Sequence, residues 1–156
     1  MKIIAHRGNL YGPNPETENT VEQAEKCFAM GFDVEVDVWH TDKGFFLGHD
    51  GPKNYVSHGW LINNEKRLYL HCKNQHAYAA ACVGDLECFF HTVDQVVLTS
   101  KKSLWFFPGT EIEPTGALLI SRIACMPELV SEWDIFNATH ICTDYPVKYA
   151  EKYGTI

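Results

Sequence analysis

Four short polar islands stand in the first fifty residues: His6-Arg7-Gly8, Glu18-Asn19-Thr20, Glu35-Val36-Asp37 and His49-Asp50. Together they offer two imidazoles, a guanidinium and several carboxylates. An imidazole, with an unperturbed pKa near ~6.5, can give or take a proton at neutral pH. A guanidinium clamps an oxyanion, and clustered carboxylates hold a divalent cation. This inventory suits work on a phosphodiester: a base, an acid, an anion clamp and ligands for a charge-neutralising metal.

The frame that must bring these islands together is modest in size. The chain has 156 residues, 46% of them hydrophobic, which is enough for one domain over 1–156 with a full core. Its net charge is −7, and no run of Lys or Arg exceeds two residues. A nucleic-acid groove needs a basic stripe, so a small anionic substrate is expected and nucleic acid is not. The six cysteines include no C-x-x-C pair, and most sit in apolar context, as in Ala81-Cys82-Val83. They read as reduced core residues of a cytoplasmic protein, with a disulfide framework as the alternative. Ile3-Ile4-Ala5 is too short for a signal core, and no apolar run approaches the ~20 residues of a membrane span.

In chain order, Ile3–Ala5 reads as a buried strand ending at His6, and Asn9–Pro15 as a loop. Thr20 and Gln23 fit a capping box that opens a helix with Val21, Ala24 and Phe28 on one face, stopped at Gly31. Phe32–Trp39 alternates: Val34, Val36 and Val38 on one side, Asp33, Glu35 and Asp37 on the other. Acids two residues apart on a strand face lie ~7 Å apart and can converge on one cation. An acidic edge strand facing solvent fits that alternation equally well, and the flanking histidine islands tip the balance. Gly44–Gly48 is a further short strand ending at His49-Asp50, and Pro52–Asn64 a loop or lid. Arg67–Lys73 alternates, with Leu68, Leu70 and Cys72 opposite Tyr69, His71 and Lys73. A helix over His76–Val83 follows, then strands over Glu87–Asp94 (carrying His91), Gln95–Ser100, Leu104–Phe107, Gly116–Ser121 and Thr139–Asp144. A helix starts at Met126-Pro127, and a short one closes the chain.

The islands together resemble the glycerophosphodiester phosphodiesterase family, within the phospholipase-C-like phosphodiesterases. That family runs strand–HRG, then ENT at a helix start, E-x-D on the next strand and HD after a hairpin. Thr143-Asp144-Tyr145-Pro146 is similar to its closing T-D-x-P strand. The resemblance covers residues 1–73 well and 139–146 in outline. It implies a TIM-type (β/α) barrel, here compacted, with shortened or missing outer helices; an open, incomplete barrel is the alternative, because such barrels usually need ~250 residues. An incomplete helix ring would leave apolar surface that a second copy, in a homodimer, could cover.

The resemblance also implies roles. His6 and His49 would be the acid–base pair, Arg7 and Lys73 would bind phosphate, and Glu35 and Asp37 would hold a divalent metal, with Glu18 in support. Asn19 and His91 would stand behind these groups, and Trp105 would line the cavity, although packing accounts for His91 and Trp105 as well. One departure is His71, where the family has a third metal-binding acid two residues before the lysine. Imidazole suits Mn²⁺ or Zn²⁺ better than the family's Mg²⁺ or Ca²⁺. Hydrolysis of a small phosphodiester by way of a cyclic phosphate is the expected activity, and a phosphate-binding module without turnover is the alternative.

Overall fold

A computed structural model describes residues 1–115 and 120–154. Its strands are β1 (Lys2–Ala5), β2 (Asp33–Thr41), β3 (Gly44–Leu47), β4 (Asn54–Val56), β5 (Leu68–Cys72), β6 (Cys88–Phe89), β7 (Val96–Leu98), β8 (Leu104–Phe106), β9 (Arg122–Cys125) and β10 (His140–Thr143). Its helices are α1 (Val21–Ala29), α2 (His58–Asn63), α3 (Gln75–Val83) and α4 (Pro146–Tyr153). All ten strands join one sheet, in the order β4-β3-β2-β1-β10-β9-β8-β7, with β5 on β2 and β6 on β5. The hairpin partners β3, β4 and β7 run antiparallel to their neighbours, and the other strands are parallel.

This sheet corrects the expectation of a closed TIM-type barrel: it curls into an open half-barrel. The physical reason lies in the second half of the chain. β6 is two residues long, and β7 turns back antiparallel onto β8, so neither edge offers a parallel ladder to close upon. β6 meets the turn after β7 at one point, where the Ser100 N–H donates to the Cys88 carbonyl (2.8 Å) and the Cys88 N–H to Ser100 Oγ (3.0 Å).

Strand alternation sorts the side chains into two layers. Val34, Val36, Val38, Leu68, Leu70 and Cys72 face outward into the helix-covered core, together with Ala24, Cys27, Ala77 and Ala150. Ile4, Tyr69, Phe89, Trp105, Ile123, Cys125 and Cys142 fill the concave side. Outside β8 and β9 the cover comes from loops: Ile112, Trp133, Ile135 and Ala138 pack on Phe106 and Ala124.

The expected start of α1 is found, with Thr20 Oγ1 accepting from the Gln23 N–H (3.2 Å). The Phe32 N–H reaches back to the Cys27 carbonyl across Gly31, whose φ of +90° closes the helix. Other expectations change. The Pro52–Asn64 loop contains β4 and α2, the latter capped by Ser57 Oγ. The Glu87–Asp94 strand contracts to Cys88–Phe89, and the helix at Pro127 to a single 3₁₀ turn. The strand expected over Gly116–Ser121 falls mostly outside the described residues, and the pairing there is made by β9 instead. All six cysteines are free thiols. No helix among the described residues is long and apolar enough to cross a membrane.

Candidate active site

Backbone pairing on β2 builds the site. Consecutive carbonyls of a strand point to opposite edges. The Val38 carbonyl accepts from Lys73 on the β5 side, whereas the Asp37 carbonyl accepts from Gly48. The hairpin strand β3 therefore continues the edge that β1 leaves at Ala5. β1 is parallel to β2 and β3 antiparallel, so the two run toward each other along that edge. His6 follows the end of β1 and His49 the end of β3. Asn19 fills the gap between them: its Oδ1 accepts from the Asp37 N–H (2.8 Å) and its Nδ2 donates to Asp37 Oδ2 (3.0 Å). Asn54 Nδ2 in turn donates to the Asn19 carbonyl (2.9 Å).

Two tight backbone positions hold this junction. Arg7 takes φ +52°, and its N–H donates to Glu35 Oε2 (3.0 Å). Gly48 takes φ +149°, and a Cβ there would stand 2.3 Å from the Gly51 carbonyl oxygen. Only glycine meets both demands. Trp39 Nε1 donates to the Gly48 carbonyl (2.7 Å) and fixes the entry to His49.

A cavity of about 230 Å³ opens on the concave side, lined on one flank by His6, Arg7, Glu35, His49 and His71 and on the other by Phe89, Val97, Trp105, Phe107 and Met126. Glu35, which lines it, and Asp37, two residues on along the same strand face, are each 1% exposed. Asp37 has two cations and an imidazole against it: Arg7 Nε at 3.1 Å, Lys73 Nζ at 3.4 Å and His71 Nδ1 at 3.2 Å. The Arg7 Nε contact is a charge contact without hydrogen-bond alignment. Burial opposes the charge on Asp37, but His71, Lys73 and Arg7 hold it well below the usual carboxylate range. Glu35 has weaker support, and burial followed by repulsion from Asp37 pushes its carboxyl up. Arg7 also donates to Glu18 Oε1 (3.2 Å).

His6 is oriented from behind. Its Nδ1 lies 2.8 Å from Asp144 Oδ1, which leaves Nε2 toward Glu35 at 3.9 Å. Burial alone would favour the neutral ring, yet the Asp144 bond and the Glu35 field more than offset it and lift His6 to about 9. Asp144 itself accepts from Asn9 Nδ2 (2.9 Å), while its backbone N–H donates to Glu128 Oε1 (2.9 Å). His49 sits at the mouth with a 41% exposed side chain, its Nδ1 2.6 Å from Asp50 Oδ1. His91 stacks on His71 at 4.9 Å, and burial followed by that neighbour lowers its pKa. Trp105 is buried and stacks on Phe89 at 4.6 Å, so it packs the floor and lines the cavity at once.

The residues singled out in the sequence thus converge on one end of the half-barrel. Sequence reasoning missed Asp144 as the partner of His6, as well as Asn9, Asn54, Glu128 and Phe89. The Thr143-Asp144-Tyr145-Pro146 run was the one available signal for Asp144.

One oxygen or nitrogen from each of Glu35, Asp37 and His71 lies within 4.8 Å of the others, a set able to hold a cation. The donor chemistry fits: two buried acids stand side by side, and burial followed by repulsion from Asp37 raises the Glu35 pKa, a cost that a bound cation would relieve. Compared with known proteins, the chain matches no family model, no curated protein and no solved structure.

Proposed function

We propose that the chain is a phosphoric diester hydrolase, cleaving a small diester that carries a hydroxyl beside the phosphate. The observation that carries the reading is the convergence of His6 and His49, at the facing ends of β1 and β3, on one cavity that Arg7 and Glu35 also line, with Arg7 and Lys73 both against the neighbouring Asp37. The resemblance of the four islands to glycerophosphodiester phosphodiesterases points the same way.

In this reading His6, held by Asp144 and cationic at neutral pH, donates its Nε2 proton to the leaving alcohol oxygen. His49, oriented through Nδ1 by Asp50, takes the proton of the substrate hydroxyl at its other nitrogen. That oxygen bonds to phosphorus as the bond to the leaving oxygen breaks, giving a cyclic phosphate. Water then opens the ring, with His6 and His49 exchanging roles. Arg7 holds a non-bridging oxygen, and Lys73 stabilises the added negative charge. Glu35, Asp37 and His71 are the residues that would hold a divalent cation. Such a cation, when bound, neutralises charge on the phosphate. The apolar flank formed by Phe89, Val97, Trp105 and Phe107 receives the leaving group, and at 230 Å³ the cavity suits a small one.

Phosphorus NMR of a glycerophosphodiester incubated with the protein tests this sequence of steps. A cyclic phosphate that appears and then decays supports it; direct formation of a monoester with no cyclic species contradicts the internal attack. One observation favours a second reading, a phosphate-binding module without turnover. Arg7 and Lys73 both lean on Asp37 and so partly occupy the charge a cation would need. Binding of the diester with no product under any metal would select that reading.

A further inference from the structure

On the outer face of the sheet, away from the candidate active site, three thiols meet where α3 packs on β5 and β6. They are Cys72, Cys82 and Cys88. The turn that follows α3 brings two of them together. The Leu86 N–H returns to the Ala81 carbonyl (3.0 Å) and the Asp85 N–H to the Cys82 carbonyl (3.1 Å), with Asp85 at φ +54°. This left-handed stop reverses the chain at once, so Cys88 on β6 comes back beside Cys82 on the last turn of α3. The two sulfurs are 3.7 Å apart. Cys82 is exposed and Cys88 is fully buried.

We infer that Cys82 and Cys88 form a reversible disulfide couple that low-molecular-weight disulfides oxidise, with Cys82 as the entry thiol and Cys88 as the resolving thiol. The steps balance. The Cys82 sulfur attacks one sulfur of the small disulfide, breaks its S–S bond and releases one thiol. Cys88 then attacks the Cys82 sulfur of the mixed disulfide, forms the internal bond and releases the second thiol. Two protein thiols are oxidised by two electrons, and one small disulfide is reduced to two thiols; the two thiol protons leave with the products. An S–S bond is ~2.0 Å long, so the sulfurs must close by ~1.7 Å. The exposed side chain of Cys82 can supply that by rotation. The polar groups around Cys88, Cys72 first and then Ser100, outweigh burial and lower its thiol below the ordinary range, which supports its role as nucleophile.

The bond would tie the sheet's short edge strand to α3. β6 carries Phe89, which stacks on His71 at 4.8 Å and on Trp105 at 4.6 Å. The couple therefore clamps the edge whose other face forms the cavity wall. The inference does not depend on the proposed hydrolysis.

The test incubates the folded chain in graded ratios of oxidised to reduced glutathione, followed by acid quench, alkylation in denaturant and peptide mass mapping. The expected result is a fall from six free thiols to four, with one cross-linked peptide pair joining Cys82 to Cys88 and full recovery in dithiothreitol. Cys88→Ala should stop at a stable glutathione adduct on Cys82, and Cys82→Ser, altered at an exposed position that leaves the fold intact, should keep all five remaining thiols. Cys72→Ser should still form the bond. Six thiols retained at every ratio, a persistent adduct on Cys82 in the unaltered chain, or a bond through Cys72 would each overturn the assignment.

Discussion

Replacing Asp144 by Asn isolates the contact that sets the charge on His6. The ring is buried, which on its own would favour neutral imidazole, yet Asp144 at 2.8 Å and Glu35 at 3.9 Å lift it from 6.5 to about 9. At ~1.36 kcal/mol per pH unit, that rise is worth ~3 kcal/mol to the imidazolium, to order of magnitude. Folded His6 holds its proton more tightly than unfolded His6 does. The stabilisation is therefore fully present below pH 6.5 and is lost as pH rises through about 9. In Asp144→Asn the amide oxygen still meets Nδ1, but the charge is gone, and burial then sets the direction. The midpoint should fall from about 9 to the neighbourhood of 6.5 or below. NMR titration of the His6 ring in metal-stripped protein reads this directly. Urea unfolding should show the variant most destabilised near about pH 6 and close to the parent by about pH 10. A parent His6 that titrates at or below 6.5, or an unchanged midpoint in Asp144→Asn, would refute the reasoning.

Three further outcomes follow from the same geometry. Asn19→Ala strips the Asp37 N–H and Oδ2 of their partners and should cost ~2–4 kcal/mol in denaturant unfolding, with loss of any diester turnover; an unchanged unfolding midpoint would contradict the clamp. Gly48→Ala forces a Cβ to 2.3 Å from the Gly51 oxygen at φ +149° and should lower stability by at least ~2 kcal/mol while broadening the His49 resonances; a parent-like spectrum would show that the turn is not tight. In Glu35→Gln, a buried acid whose folded pKa is raised, and whose charge costs stability as pH climbs above 4.5, is replaced by a neutral group. The metal-free variant should be at least as stable as the parent at neutral pH. Its Mn²⁺ affinity by calorimetry should drop at least ~10-fold, and equal affinity would remove Glu35 from the metal set.

Much of the site's first half was legible because it depends on local rules. The period of two in β2 and β5 separates Val34, Val36, Leu68 and Leu70 from Glu35, Asp37 and His71, and in the structure the first set joins the helix-covered core while the second clusters on the other face. The cap at Thr20 and the stop at Gly31 are chain-local signals. What escaped was non-local. His6 and Asp144 are 138 positions apart, and Asn19 and Asp37 meet because β1 and β3 share an edge, a fact that no periodicity carries. Barrel closure failed for the same reason. Whether an edge closes depends on partners far along the chain, and here a two-residue β6 and a back-folded β7 decide it. The helix α2 inside Pro52–Asn64 escaped because its six residues carry too short an apolar run to outweigh the surrounding Gly, Pro and Asn residues.

The most direct test of the central claim is release of alcohol from a panel of glycerophosphodiesters. It would use metal-stripped protein with Mg²⁺, Ca²⁺, Mn²⁺ or Zn²⁺ added back, beside His6→Ala and His49→Ala. The account predicts turnover that requires a divalent cation and falls by at least ~100-fold in each variant. Binding without release under every metal, or turnover that survives both substitutions, would contradict it.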